Sequence, residues 1–307
     1  MKNVEILLAV YNGEKYLEEQ IQSIISQDTD DWHLTISDDG STDSSAKIIE
    51  SYVEKYPSKM TRVFSGKHFG SARDHFFWLM SQCNSSYIQF CDQDDIWHKD
   101  KVRLLHEEMI KVEIEYGTTV PVLVFSDQNV VDSELKILAT SLMKLQQQNS
   151  NGTDYRNIIF QNIVSGCTME INGALAALAG KCNEITNAIM HDWWLAIVAT
   201  KFGRIAYLPQ PTIDYRQHEY NDVGAKNTGS LTYFFYKMFH LDAYRKTVQL
   251  KKKQALFFLS VYSNELTIDE QMVLEKFSCK HSGIMFKLSF CKFIFSLKRR
   301  IGFLLSW

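Results

Sequence analysis

The chain has 307 residues, 45% of them apolar and 22% charged, with a formal net charge of -3. That is enough apolar material for one large domain with a buried core, plus an appendage. The near-neutral balance, without a long basic stripe, argues against duplex nucleic acid as a partner and leaves a nucleotide ligand open.

The six cysteines, Cys83, Cys91, Cys167, Cys182, Cys279 and Cys291, form no C-x-x-C pair and no zinc-type spacing, and read as reduced cytosolic thiols. Met1 to Tyr11 has one lysine and then a short apolar run with no small-residue cleavage site after it, which fits a first strand rather than a signal peptide. No stretch approaches the roughly 20 apolar residues that a membrane-spanning helix requires.

Val4 to Tyr11 is a continuous apolar run of buried-strand type, and Gly13 to Gln27 sets Leu17, Ile21, Ile24 and Ile25 at helical spacing. His33 to Asp38 alternates as a strand, Ser44 to Tyr56 reads as a helix and Thr61 to Phe64 as a short strand. Asp74 to Gln82 follows as a helix, Tyr87 to Cys91 as a strand ending in acids, Lys99 to Tyr116 as a helix and Val122 to Ser126 as a strand. Such alternation predicts an α/β fold with a mostly parallel, doubly wound sheet and helices on both faces. Residues 1–130 make one half of this domain. The polar stretch Gln146 to Gly152 leads to a second half over 150–228, and residues 229–307 read as a helical extension, rich in aromatics and lysine.

Ligands of open α/β sheets bind beyond the carboxyl ends of the strands, and polar clusters collect there. The first strand ends in Ala9-Val10-Tyr11-Asn12, the second in Asp38-Asp39-Gly40-Ser41-Thr42-Asp43, and the fourth in Asp92-Gln93-Asp94-Asp95. Asp92 and Asp94 alternate along an extended segment, so both carboxylates can face one divalent cation bridging a diphosphate. Acids at strand ends are also common turn formers and helix caps, and a lone D-x-D does not separate the two.

The motifs SDDGSTD, FCDQDDIW and HDWW, in this order, resemble family 2 of the inverting glycosyltransferases, which have the GT-A fold, from Val4 to about Gly224. The resemblance implies a nucleotide-diphosphate sugar donor, with Ala9, Tyr11 and one of Asp38 or Asp39 holding the nucleoside. It assigns Asp92 and Asp94 to ribose and metal, the metal being Mn2+ or Mg2+. Arg73 fits the family's arginine before the D-x-D strand, where it would pair with donor phosphates or the acidic cluster; a surface ion pair at a helix start is the alternative.

Inverting transfer needs one general base, and Asp192 fits the family's position for it. An aspartate just before WWLAIVATKF is equally a helix N-cap. Trp193 and Trp194 are either core residues of that helix or an indole face for an acceptor sugar. In the preceding NIVSGCT segment, which resembles the family's acceptor side, Gly166 would let backbone approach a ligand closely.

Tyr215-Arg216-Gln217-His218 resembles a motif of the family's polysaccharide-building members, the rhamnosyltransferases especially. It implies that Arg216 and His218 reach the diphosphate; His218 is a metal ligand or simply hydrogen-bonded. EYND replaces the glycine and paired asparagines that often follow in relatives.

Residues 284–307 mix aromatic and aliphatic side chains with Lys287, Lys292, Lys298, Arg299 and Arg300 and contain no acid. Such a segment suits an anionic bilayer surface, so the expectation is a peripheral enzyme on the cytoplasmic membrane face with a lipid-linked oligosaccharide acceptor. A helix packed on the domain or a homodimer contact are the alternatives. The leading expectation is transfer of L-rhamnose from dTDP-L-rhamnose; the others are a UDP-hexose capsule transferase and a non-catalytic sugar-nucleotide-binding scaffold. A phosphatase is disfavoured, because AVYN offers no nucleophilic aspartate after the first strand.

Overall fold

The computed structural model describes residues 4–148, 155–182, 184–218 and 241–279. In chain order the elements are β1 (Val4–Val10), α1 (Leu17–Ile25), β2 (Trp32–Asp38), α2 (Ser45–Lys55), β3 (Met60–Val63), α3 (Ala72–Gln82), β4 (Tyr87–Cys91), β5 (Ile96–Trp97) and α4 (Lys101–Tyr116). They continue with β6 (Val122–Val131), β7 (Ile137–Ala139), the short helices α5 (Leu142–Leu145) and α6 (Tyr155–Ile158), and a 3-10 turn at Gly166–Thr168. Next come β8 (Met169–Asn172), α7 (Gly173–Ala179), α8 (His191–Phe202), β9 (Arg204–Arg216), α9 (Leu241–Tyr262) and α10 (Ile268–Ser278).

Among the described residues the strands form one sheet in the order β3-β2-β1-β4-β8-β6-β9-β5, with β7 paired to β6. Strands β1, β2, β3, β4, β6 and β9 run one way, and β5, β7 and β8 oppose them, so the sheet is mixed but mostly parallel. The alternation of β1 sorts its residues between two cores. Ile6, Leu8 and Val10 join Leu17, Ile21 and Ile24 of α1 on one face, while Leu7 joins Phe76 and Leu79 of α3 on the other.

Helix α8 is buried nearly all round, which explains its lack of an amphipathic stripe. It lies under α9 and α10, whose Val248, Phe258, Tyr262, Leu274 and Phe277 share one buried cluster with Trp194 and Phe160. The core thus crosses the boundary expected at residue 229, and the described part of the C-terminal extension, 241–279, is built into the domain. The basic segment 284–307 lies outside the described residues. No described helix is long and apolar enough to cross a membrane.

The strand register sets the site. Val10 pairs with Asp38 and Leu8 with Cys91, so the polar turns after β1, β2 and β4 emerge at one end of the sheet. Strand β8 runs against β4 with Gln89 opposite Glu170, and continuing that register brings Cys167 level with Asp92.

Candidate active site

Two turns interlock at the end of β1 and β2. Asn12 adopts a left-handed backbone (φ 50°), and its N–H donates to Ser41 Oγ at 2.8 Å while its Oδ1 accepts from the Thr42 N–H at 2.8 Å. Glu14 and the 43–44 turn exchange a further pair of bonds, Glu14 N–H to Asp43 Oδ2 at 3.0 Å and Ser44 N–H to Glu14 Oε2 at 2.9 Å. Asp38 accepts from the N–H and hydroxyl of Ser41 and faces Arg62 at 3.6 Å. Asp39 accepts from the N–H groups of Phe69 and Gly70 at 2.6 and 3.0 Å. Both carboxylates therefore organise loops. Ala9 is half-buried in β1, and Tyr11 beyond it is 50% exposed, its ring tilted against His68 at 5.4 Å.

The acid turn after β4 divides differently from the expected Asp92/Asp94 pair. Asp94 Oδ2 lies 2.9 Å from His218 Nε2, and the His218 ring stacks on Tyr16 at 5.0 Å. Asp92 instead groups with Asp95 and Cys167, their potential ligand atoms all lying within 4.8 Å of one another. Burial pushes the Asp94 carboxyl up, with His218 opposing the shift, and burial together with Asp94 and Asp92 pushes Asp95 well up. A divalent cation among these crowded oxygens would relieve that repulsion, so the donors fit Mg2+ or Mn2+. Burial also raises the Cys167 thiol, which leaves the carboxylates as the natural hard-ion donors. Neither Asp95 nor Cys167 is among the expected ligands; Asp95, the third D of DQDD, is visible in the sequence, whereas only the antiparallel register brings in Cys167.

Arg216 departs from expectation, whereas Arg73 follows the second of its two expected readings. The Arg216 side chain is buried, its Nε donating to Asp94 O and its Nη1 to Ser133 O at 2.9 Å each, its Nη2 paired with Glu19 and its guanidinium over the Tyr16 ring. It braces the acid turn instead of opening toward a diphosphate. Arg73 forks onto its neighbour Asp74 through Nε and Nη2, at 2.9 and 2.7 Å, and donates Nη1 to Ala188 O at 2.9 Å. It matches the helix-start ion pair and does not pair with the acidic cluster.

Helix α8 begins at His191, with Met190 as its cap residue, so Asp192 is a first-turn acid and not the N-cap. Its carboxyl accepts the Trp193 N–H and is also hydrogen-bonded to the Gly166 backbone and the Asn162 side chain. Burial outweighs those bonds and raises it to about 7. A Cβ on Gly166 would stand 2.8 Å from His191 Nε2, so this glycine makes room for the histidine rather than for a ligand. His191 packs on Phe76 and Phe90, and burial lowers it to about 3, leaving a neutral ring.

Neither tryptophan offers a stacking face. Trp194 is 0% exposed among Phe257, Phe258 and Tyr262, with its indole N–H on Ala179 O at 3.2 Å. Trp193 is 8% exposed, and its N–H donates to Ile158 O at 2.6 Å. Apolar residues on an all-buried helix go into the core, and this overrules the sugar-stacking expectation.

Against known families, a match to "Glycosyl transferase family 2" spans residues 5–169, more than half of the chain. The chain belongs to glycosyl transferase family 2. This family 2 glycosyltransferase is 32% identical to dTDP-rhamnosyl transferase RfbG of Shigella flexneri over 268 residues, covering 84% of this chain and 88% of that one. Its fold resembles that of S. aureus TarS 1-349, solved in complex with UDP-GlcNAc, with a TM-score of 0.54, 15% identity and coverage of 99% and 90%. It also resembles the mannosyltransferase PcManGT from Pyrobaculum calidifontis, solved with GDP-Man and Mn2+, with a TM-score of 0.52, 13% identity and coverage of 99% and 86%. These likenesses show the GT-A fold, as the order of the motifs led one to expect.

Proposed function

We propose that this glycosyltransferase moves L-rhamnose from dTDP-L-rhamnose to a hydroxyl of a lipid-linked saccharide in cell-surface polysaccharide synthesis, with inversion at the anomeric carbon. The observation that carries the sugar is the 32% identity to a dTDP-rhamnosyl transferase over most of both chains. The chemistry is supported by Asp192, a carboxyl raised to about 7 beside Gly166, whose chain neighbour Cys167 groups with Asp92 and Asp95. A base near the working pH takes a proton efficiently without being permanently protonated.

In the proposed step the acceptor oxygen attacks the sugar C1, its proton passes to the Asp192 carboxylate, and the C1–O bond to the diphosphate breaks, releasing the nucleoside diphosphate. Asp92, Asp94 and Asp95 would hold Mn2+ or Mg2+, which when bound neutralises charge on the leaving diphosphate. His218 holds Asp94 in place at 2.9 Å. Tyr11 and the turn shaped by Asp38 and Asp39 receive the nucleoside, with Ala9 at its floor. Arg216 acts from behind the acid turn, and Arg73 from the start of α3.

The enzyme works at the cytoplasmic membrane face. Exposed Arg245, Lys246 and Lys253 on α9 and the acid-free stretch 284–307 support attraction to anionic lipid. Deleting residues 281–307 is expected to lower cosedimentation with anionic liposomes, and an undiminished pellet would contradict the tail's role.

A panel of dTDP-, UDP- and GDP-sugars with a synthetic lipid-linked acceptor and Mn2+ or Mg2+ tests the proposal. Transfer from dTDP-L-rhamnose above all other donors is expected. Preference for a UDP-hexose would overturn the rhamnose assignment, and donor binding without transfer across the panel would favour a scaffold.

A further inference from the structure

We propose that Gln93 is a positioning residue that ties the acid turn after β4 to the nucleoside loop after β1. Strands β1 and β4 pair by backbone from Val4–Tyr87 to Leu8–Cys91, and beyond that point the two chains part into their turns. The Gln93 side chain restores the connection. Its Oε1 accepts the Tyr11 N–H at 2.8 Å, and its Nε2 donates to the Tyr11 carbonyl at 3.0 Å. One amide thus offers Tyr11 the donor and acceptor that a neighbouring strand would supply.

The seat of that amide is cut into the β1 turn. A Cβ on Gly13 would lie 2.6 Å from Gln93 Oε1 and 2.7 Å from Gln93 Cδ. Gly13 is not among the positive-φ glycines, so its backbone alone would admit alanine, and the space taken by Gln93 is what the missing side chain provides. The atoms in the way are the far end of a flexible side chain, so a methyl group there would evict the amide and leave the fold intact. Gly13 and Gln93 are two halves of one device.

The consequence is a link between two parts of the donor site. Gln93 stands between Asp92 and Asp94, so the backbone that positions the carboxylates also positions the Tyr11 peptide. Tyr11 is half exposed, and the reciprocal pair with Gln93 fixes its backbone beside the turn. Without the clamp, binding would have to order that loop at its own entropic cost.

This rests on the proposal that Tyr11 receives the donor nucleoside. The full-length chain, Gln93→Ala, Gly13→Ala and the double variant are titrated calorimetrically with dTDP and with UDP in the presence of Mn2+, alongside melting temperatures. Each single variant is expected to bind the better nucleotide about tenfold more weakly, the scale of one or two partly exposed hydrogen bonds, while melting only a few degrees lower in the same cooperative transition. The double variant is expected to be no weaker than either single one, because both remove the same clamp. Wild-type affinity in Gln93→Ala, or additive losses in the double variant, would overturn the proposal. A wild-type chain that binds neither nucleotide would instead sink the donor-site reading, and this inference with it.

Discussion

The Asp192 carboxyl is hydrogen-bonded to the backbone of Gly166, and the next residue, Cys167, sets its sulfur among Asp92 and Asp95. A single 3-10 turn, Gly166–Thr168, therefore touches both the proposed base and the acid cluster. Residues far apart in the chain are brought together because β8 runs antiparallel to β4 and starts where β4 ends. Proton removal and leaving-group stabilisation would act on opposite sides of one sugar, and a shared rigid support suits that task.

Asp192→Asn is expected to lower kcat by about 10²–10⁴, the usual contribution of a positioned general base. Nucleotide affinity should stay at the wild-type value, because Asp192 belongs to α8 and not to the nucleoside turns. Steady-state rates with dTDP titration check both. Unchanged turnover would remove Asp192 from the mechanism.

With the carboxyl raised to about 7, kcat/KM should fall about tenfold per unit as pH drops below 7 and level off above it. The same burial has a stability cost of definite sign. A folded-state value above the unfolded one gives stability that is present at acid pH and is lost as pH rises through about 7. Asp192→Asn should thus melt higher than wild type at pH 8, with the difference shrinking toward pH 4. Melting curves at both pH values decide; a variant that is less stable at pH 8 would contradict the burial account.

Asp94→Ala is expected to abolish most metal-dependent turnover, and His218→Ala to weaken Mn2+ binding about 10–100-fold, as loss of a group that orients a ligand does. Calorimetric titration of Mn2+ measures the second directly. If Asp94→Ala keeps wild-type metal dependence, the cation is held elsewhere.

Trp194→Ala should cost about 3–5 kcal/mol of folding stability, the range for emptying a large aromatic site in a core. Trp193→Phe, which removes the indole N–H bond to Ile158 O, should lower stability and leave the acceptor KM unchanged. Denaturant midpoints and acceptor kinetics separate the two roles. A raised acceptor KM with normal stability would restore the sugar-stacking role.

The first half of the domain was legible because its signals are local. β1 to β4 carry short apolar runs, α1 carries Leu17, Ile21 and Ile24 at helical spacing, and acids gather at the strand ends. What stayed hidden depends on partners distant in sequence. The end of β6 contains Asp127, Gln128 and Asn129, polar residues that end a strand by propensity yet are held within the pairing with β9. Asp127 and Gln128 are buried all the same, and Ser141 bonds the Asp127 carboxylate. Arg216 illustrates the limit for the site. Its motif marked it as important, but only the fold shows its guanidinium spent on Ser133, Glu19 and the Asp94 carbonyl. The tryptophans teach the same point, since HDWW marks a helix start near the site without telling which way an indole turns.

The central claim is a single-displacement transfer by a carboxylate base, and the anomeric configuration of the product tests it most directly. Rhamnose transferred from dTDP-β-L-rhamnose to the synthetic acceptor would be read by the one-bond C1–H1 coupling in NMR. An α-linked product, opposite to the donor, is the predicted result. A β-linked product would mean retention, and with it a mechanism in which Asp192 is not the lone base.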